Sequence, residues 1–306
     1  MTNGIDGEST ELTAPSKSKT TLRKELLKFA GYCAIGYIVL LGIMHTPFYT
    51  FMVLRPDIND SELYKVDKIL EVPREEVTFE SKGNKLYGWL FLKKGSKVIV
   101  VFHHGNAGNL LNRLSFAKAL IQAGASVFLY DYRGYGKSGG QANSLEGIHE
   151  DGLAAYDYIK SKYNMPVMVN FGESIGSTVA CHVDNQRKSD ALILQSALVS
   201  LPAVARKTFP IFMLYPDAIW PKPFFNNIEL VSSSRTPLLL IHGLRDKLVP
   251  PQHSEMLLKA DASTDKEYVQ LPTCGHNDIG YYDPELYQKT LNDFFAKHFK
   301  NDLATN

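Results

Sequence analysis

Gly172-Glu173-Ser174-Ile175-Gly176 follows directly on the apolar run Met165 to Phe171. A serine between glycines, at the end of a buried strand, suits a tight strand-to-helix turn. Such a turn lifts the hydroxyl clear of the sheet and sets the next backbone N–H beside it, ready to attack an acyl carbonyl. The pattern alone is weak: with 22 glycines in 306 residues, chance supplies it at roughly the one-in-ten level. Its weight comes from what lies downstream. Asp246 stands just past the strand-like run Pro237 to His242, and His276 lies on the glycine-containing loop after Tyr268 to Leu271. Serine, acid and histidine then occur in the order this chemistry uses on a strand-turn-helix sheet. His276 would take the Ser174 proton and return it to the leaving group. Asp246 would fix the imidazole tautomer and stabilise the imidazolium.

Acyl transfer also needs donors for a developing oxyanion. Val98 to Phe102 is a strongly apolar strand that runs into His103-His104-Gly105-Asn106-Ala107-Gly108-Asn109. A glycine-rich strand-to-helix loop leaves N–H groups free to converge, and the N–H groups of Ile175 and Asn106 are the expected pair. The loop lacks the Gly-Lys-Ser/Thr ending of a phosphate loop. His103 and His104 are adjacent on a strand and so point to opposite faces, which makes them poor joint ligands. With no H-x-x-x-H and no Cys/His cluster, neither a metal nor a cofactor is expected. Asp131 and Arg133, in Asp131 to Gly140, read as structural because the triad is already filled. Glu173 sits inside the elbow, in a role the sequence leaves open.

These residues need a scaffold. After a leading antiparallel pair at 76–81 and 85–92, apolar runs at 98–102, 126–130, 165–171, 191–199, 237–242 and 268–271 alternate with helical patterns near 109–123, 144–163, 175–186, 252–260 and 284–299. That alternation predicts an α/β fold with a mostly parallel eight-stranded sheet covered on both faces. The interval 201–235 breaks the pattern. It is rich in proline and aromatics and reads as a short cap, with Phe209, Phe212 and Trp220 either walling an acyl site beside Ser174 or packing the cap onto the sheet.

The N-terminal region adds cell biology. Residues 1–24 read as a polar, disordered tail. Residues 25–54 read as a signal-anchor: Phe29 to Leu54 holds no Asp, Glu, Lys or Arg and as a helix reaches roughly 39 Å. Pro47 should end or kink it. A cleaved signal peptide is the rival, opposed by the long polar leader and the lack of an Ala-x-Ala site. Lys17, Lys19, Arg23, Lys24 and Lys28 precede the run, so the expected topology is single-pass type II, with the catalytic domain (55–306) lumenal or extracytoplasmic. Asn59-Asp60-Ser61 is a glycosylation sequon of the kind chance supplies. Cys33, Cys181 and Cys274 give no disulfide framework, the last two reading as packing residues. A net charge of +1 gives no reason to expect a nucleic-acid partner.

HHGNAGN, DYRGYGKSGG, GESIG, HGLRDKLVP and CGHND together resemble the membrane-anchored α/β-hydrolase domain (ABHD) proteins, in the bud-emergence (BEM) and ABHD-thirteen-like branch. The resemblance covers roughly residues 70 to 300. It implies the α/β-hydrolase fold, a single-pass anchor and a serine hydrolase of lipid-esterase or palmitoyl-protein thioesterase type. Ser174, Asp246 and His276 fall on the family's triad positions, and Ile175 and Asn106 on its oxyanion positions. The expected partners are a membrane and an acyl-bearing lipid or S-acylated protein. Two rival readings stand beside this: an amidase or aminopeptidase, which should present an acid for the substrate amine, and an idle hydrolase fold used for binding.

Overall fold

The computed structural model describes residues 19–58, 70 and 72–304. The sequon at Asn59 and most of the expected polar tail lie outside these residues. The chain divides between Thr46 and Pro47 into two units.

The first unit is helix α1, Lys19–Met44. Its most apolar stretch has a mean hydropathy of 1.9 and is not buried, so by length and composition it is able to cross a membrane. The helix starts inside the stretch expected to be a tail. Leu22, Arg23, Lys24 and Glu25 are good helix formers, and Lys28 pairs with Glu25 across one turn at 3.1 Å. At the other end the apolar run is not one helix. Pro47 opens a separate helix α2, Pro47–Val53, because proline has no N–H to continue α1 and suits a first helical position. Helix α2 belongs to the second unit, where Tyr49 and Val53 pack against the core and Leu54 is buried.

The second unit is built on eight strands: β1 Arg74–Ser81, β2 Asn84–Phe91, β3 Val98–His103, β4 Ser126–Tyr130, β5 Val167–Glu173, β6 Ala191–Gln195, β7 Leu238–Gly243 and β8 Lys266–Leu271. Its helices are α3 Leu114–Gln122, α4 Leu145–Lys162, α5 Gly176–Arg187, α6 Leu201–Thr208, α7 Asn227–Ser233, α8 Gln252–Ala260 and α9 Pro284–Phe299. The sheet order is β8-β7-β6-β5-β3-β4-β2-β1. Only β2 runs against its neighbours, so the mostly parallel sheet expected from the alternation is the one observed. Side chains of β3 alternate between its faces. Val98, Val100 and Phe102 pack with α3 and α9, and Ile99 and Val101 with α4 and α5.

One strand is shorter than its apolar run. Residues 191–199 are a strand only to Gln195, because Ser196 takes a φ of 47° and turns the chain out of the sheet. Leu198 and Val199 stay buried as loop residues, their backbone met by side chains rather than by a ladder. The Asn227 amide donates to the Leu198 carbonyl at 2.8 Å, and the Val199 N–H donates to His253 Nδ1 at 3.1 Å. The cap interval holds α6, two 3-10 turns (Pro210–Leu214 and Asp217–Ile219) and α7.

Candidate active site

Register sets the carboxyl ends of the central strands level, with His103 beside Gly172 and Glu173 beside Gln195. Ser174 follows β5 with a φ of 53°, the left-handed region that a non-glycine residue occupies only when its surroundings hold it there. The Ser174 N–H, bonded to the Gln195 carbonyl at 2.9 Å, is part of that hold. The flanking glycines are required by close approach. A Cβ on Gly176 would lie 2.0 Å from the His103 carbonyl oxygen, and one on Gly172 would lie 2.5 Å from Ser177 Cα.

The loops after β5, β7 and β8 bring Ser174, Asp246 and His276 together. Ser174 Oγ is 3.0 Å from His276 Nε2, and His276 Nδ1 is 2.6 Å from Asp246 Oδ2. With Nδ1–H donating to the carboxylate, Nε2 is the free base facing the hydroxyl. Asp246 Oδ1 accepts the N–H groups of Leu248 and Val249 at 2.9 and 2.8 Å. Burial pushes the Asp246 carboxyl up, but hydrogen bonds from His242 and then His276 outweigh it and hold the group well below the usual carboxylate range. The acid is therefore ionised at neutral pH, as an orienting triad carboxylate must be.

His242 is a contributor that the sequence reading passed over. It ends β7, accepts from Ser254 Oγ at Nδ1 (2.7 Å) and donates from Nε2 to the Val249 carbonyl (2.9 Å) and to Asp246 Oδ2 (3.2 Å). Its position four residues before the acid was the available signal.

The elbow and the loop after β3 are joined by a second contact. Glu173 accepts from Arg113 Nε at 2.7 Å and from the Gly105 N–H at 3.2 Å. The Gly105 N–H is thus occupied, and the next N–H in the loop is that of Asn106. Asn106 is itself fastened on two sides. Its carbonyl accepts the Arg55 N–H at 3.0 Å and the Tyr135 hydroxyl at 2.9 Å, and its amide donates to the Val53 carbonyl at 2.9 Å. Arg55–Pro56 pairs in parallel with Ala107–Gly108, so the stretch following α2 braces this loop. Among the described residues, no hydrogen bond to the N–H of Asn106 or of Ile175 is present.

The other polar residues singled out in the sequence have structural partners. His103 donates from Nε2 to Asn170 Oδ1 at 3.1 Å and accepts the Tyr130 hydroxyl at 2.7 Å. His104 Nδ1 donates to the Gly105 carbonyl at 2.7 Å. Arg133 is held by Asp151 and Glu150 at 2.7 and 2.9 Å. Asp131 accepts the Leu110 N–H at 2.8 Å, and Cys274 and Cys181 are buried free thiols.

Of the cap aromatics, Trp220 is buried, stacks edge-on with Phe212 at 5.5 Å and donates to the Tyr49 hydroxyl at 3.1 Å. It packs α2 to the cap. Phe209 is exposed and meets Phe212 at 6.1 Å. A cleft of about 1160 Å³ beside the elbow is lined instead by Arg113, Phe116, Glu173, Asn277, Ile279 and Tyr287, among others.

The sheet, the strained serine and the order of the three loops define an α/β-hydrolase-fold serine hydrolase. Residues 94–235 match the family model described as serine aminopeptidase, S33. An uncharacterized protein of Mycobacterium tuberculosis is 34% identical over 233 residues, spanning 75% of this chain and 81% of its own. Protein bem46 of Schizosaccharomyces pombe is 29% identical over 276 residues, spanning 79% and 89%. An esterase of Pyrococcus furiosus shares the fold with a TM-score of 0.68 at 20% identity, over 80% of this chain and 97% of its own. The chain belongs to the ABHD/BEM-like family of α/β-hydrolases.

Proposed function

We propose that this protein is a membrane-anchored serine hydrolase that cleaves acyl esters or thioesters through an acyl-enzyme on Ser174. The observation that carries the reading is the continuous path from Ser174 Oγ through His276 to Asp246, at 3.0 and 2.6 Å. His276 Nε2 removes the hydroxyl proton as Ser174 attacks the acyl carbon. The N–H groups of Ile175 and Asn106 receive the oxyanion, each such donor contributing roughly 3 kcal/mol. The imidazolium then protonates the leaving alcohol or thiol, and water repeats the sequence to release the acid. The cleft beside Glu173 mixes charged side chains, Arg113 and Glu173, with apolar ones, Phe116 and Ile279, and suits the leaving group. The cap, with Phe209 and Phe212, suits the acyl chain. In this reading α1 is a type II anchor, with Arg23, Lys24 and Lys28 on the cytosolic side.

The match to a serine aminopeptidase family model favours one second reading, an aminopeptidase. Such an enzyme needs an acid free to hold the substrate amine. Of the cap acids, Asp217 is paired with Arg206 and Glu229 is exposed on α7, while Glu173 in the elbow is paired with Arg113; the pairing of Asp217 and Glu173 supports the ester reading over it.

The test is fluorophosphonate labelling of membranes carrying wild type or Ser174→Ala, followed by hydrolysis of matched ester, thioester and aminoacyl-amide series. Labelling lost in the mutant, with esters or thioesters turned over, is the expected result. Turnover of the aminoacyl amides alone would favour the aminopeptidase, and a folded wild type that does not label would sink the enzyme reading.

A further inference from the structure

We propose that α2 and the cap form one surface of the catalytic unit that dips into a lipid bilayer, so that the acyl substrate is drawn from the membrane. The inference rests on the reading of α1 as an anchor.

Helix α2 turns Tyr49 and Val53 toward the core and leaves Phe48, Phe51 and Met52 in solvent, Phe51 with 68% of its surface exposed. In the cap, Phe209, Ile211, Met213 and Leu214 are also exposed, Met213 at 71%. The two segments adjoin. The Tyr49 and Trp220 rings meet edge to face at 6.4 Å, Trp220 Nε1 reaches the Tyr49 hydroxyl, and Phe212 of the cap turn packs on Trp220. Residues 45–54 and 208–216 contain no Asp, Glu, Lys or Arg. The acid that follows, Asp217, is neutralised by Arg206 at 2.5 Å. Lys207 and Arg55 stand at the borders. Two adjoining apolar segments edged by cations are the pattern of an interfacial lipid contact.

Chain continuity selects a bilayer as the occupant. The helix able to cross a membrane ends at Met44 and α2 starts at Pro47. A chain leaving the hydrocarbon at Met44 has only His45, Thr46 and Pro47, each reaching at most about 3.6 Å, before Phe48, with Phe51 one helical turn further on. Those side chains then meet headgroups or acyl chains, and through Tyr49 and Trp220 the cap turn shares their surface. The substrate class that follows is a long-chain acyl ester or thioester resident in the bilayer.

The test uses full-length protein in phosphatidylcholine–phosphatidylserine vesicles containing a diazirine-bearing phospholipid. After photolysis, adducts are mapped by mass spectrometry. Adducts on 47–53 and 209–214 are expected in addition to those on 19–44. Adducts confined to 19–44 overturn the proposal and leave the anchor standing. Adducts absent everywhere overturn both. Adducts on the two surface segments alone uphold the lipid contact and overturn the anchor.

The triple variant Ile211→Ser, Met213→Ser, Leu214→Ser gives a second arm. Turnover of a long-chain ester embedded in vesicles should fall about ten-fold, with hydrolysis of a soluble short-chain ester unchanged. No change on either substrate, or an equal loss on both in a variant that melts like wild type, overturns the proposal. Light scattering in detergent that finds a dimer, with 47–53 and 209–214 cross-linked between copies, overturns it in favour of a second chain as the occupant.

Discussion

His242 donates to the same carboxylate oxygen of Asp246 that His276 engages, at 3.2 Å against 2.6 Å. The triad acid is therefore gripped from the buried side as well as from the catalytic side, and its orientation does not depend on His276 alone. Replacing His242 with Gln should lower kcat about ten- to hundred-fold, the scale of a small misplacement of a catalytic group, with little change in KM. Asp246→Asn should be more severe, about 10⁴-fold, because it favours the wrong His276 tautomer. Steady-state kinetics on one soluble ester would check both, and a KM effect larger than the kcat effect would count against the positioning role of His242.

Glu173 ties the elbow to the loop after β3. Its partner Arg113 and Glu173 itself are each largely shielded, with side chains 9% and 15% exposed. Glu173→Ala should destabilise the protein by about 3 kcal/mol, the scale for leaving one member of a buried pair uncompensated. It should also slow fluorophosphonate labelling of the surviving folded protein. Urea denaturation and labelling rates would be measured together; normal labelling in a destabilised variant would confine Glu173 to a structural role.

Ser174 holds an unfavourable backbone conformation for its chemistry. Ser174→Gly removes the strain of a side chain at φ 53°, whereas Ser174→Ala keeps it. Both should abolish labelling, but the glycine variant should be the more stable of the two by about 1 kcal/mol. Thermal melts of the pair would check this, and an alanine variant at least as stable would argue against strain at the elbow.

Acid should destabilise the fold well before carboxylates in general are titrated. Burial holds His103 and His253 down at about 4 and His104 at about 3, from an ordinary value of 6.5, and drives His149 well below it. Groups depressed in this way contribute stability that is present above 6.5 and lost as pH falls toward 4. Asp131 acts with the opposite sign. Burial raises it from 3.8 to about 7, so its contribution is present below 3.8 and lost as pH rises through 7. Burial raises Asp261 likewise, to about 6, but these four histidines, with His182 and His298 also lowered by burial, outnumber the two aspartates, so the net slope is downward on acidification. Urea midpoints at neutral and mildly acidic pH would test it, and a midpoint that rises on acidification would contradict it.

The grouping of Ser174, Asp246 and His276 was legible because each follows a strand that announces itself by apolar run length, and chain order suggested the roles. The helices on the sheet were legible for the same reason, α8 and α9 to the residue. What the sequence did not reveal is orientation. Composition fits Trp220 equally as an acyl wall and as a packing residue; its N–H, which reaches Tyr49, makes it a packing residue. Leu198 and Val199 extended a strand on paper because burial, not pairing, makes a residue apolar. The Glu173–Arg113 link spans 60 positions and leaves no local pattern. Division of the apolar run at Pro47 was legible, but assignment of α2 to the catalytic unit depended on contacts that composition does not encode.

The brace on Asn106 also decides where this enzyme may be cut. The apolar run extends to Leu54, so a soluble form designed from hydropathy would begin at residue 55. That cut removes α2 and the Val53 carbonyl that holds the Asn106 amide, and leaves Arg55, whose N–H is bonded to Asn106, as a frayed end. A form beginning at Pro47 keeps the whole brace along with its exposed apolar face. Helix α1 and the brace on Asn106 thus fall inside what hydropathy reads as one segment, and trimming to Leu54 would also remove the contacts that hold the loop after β3.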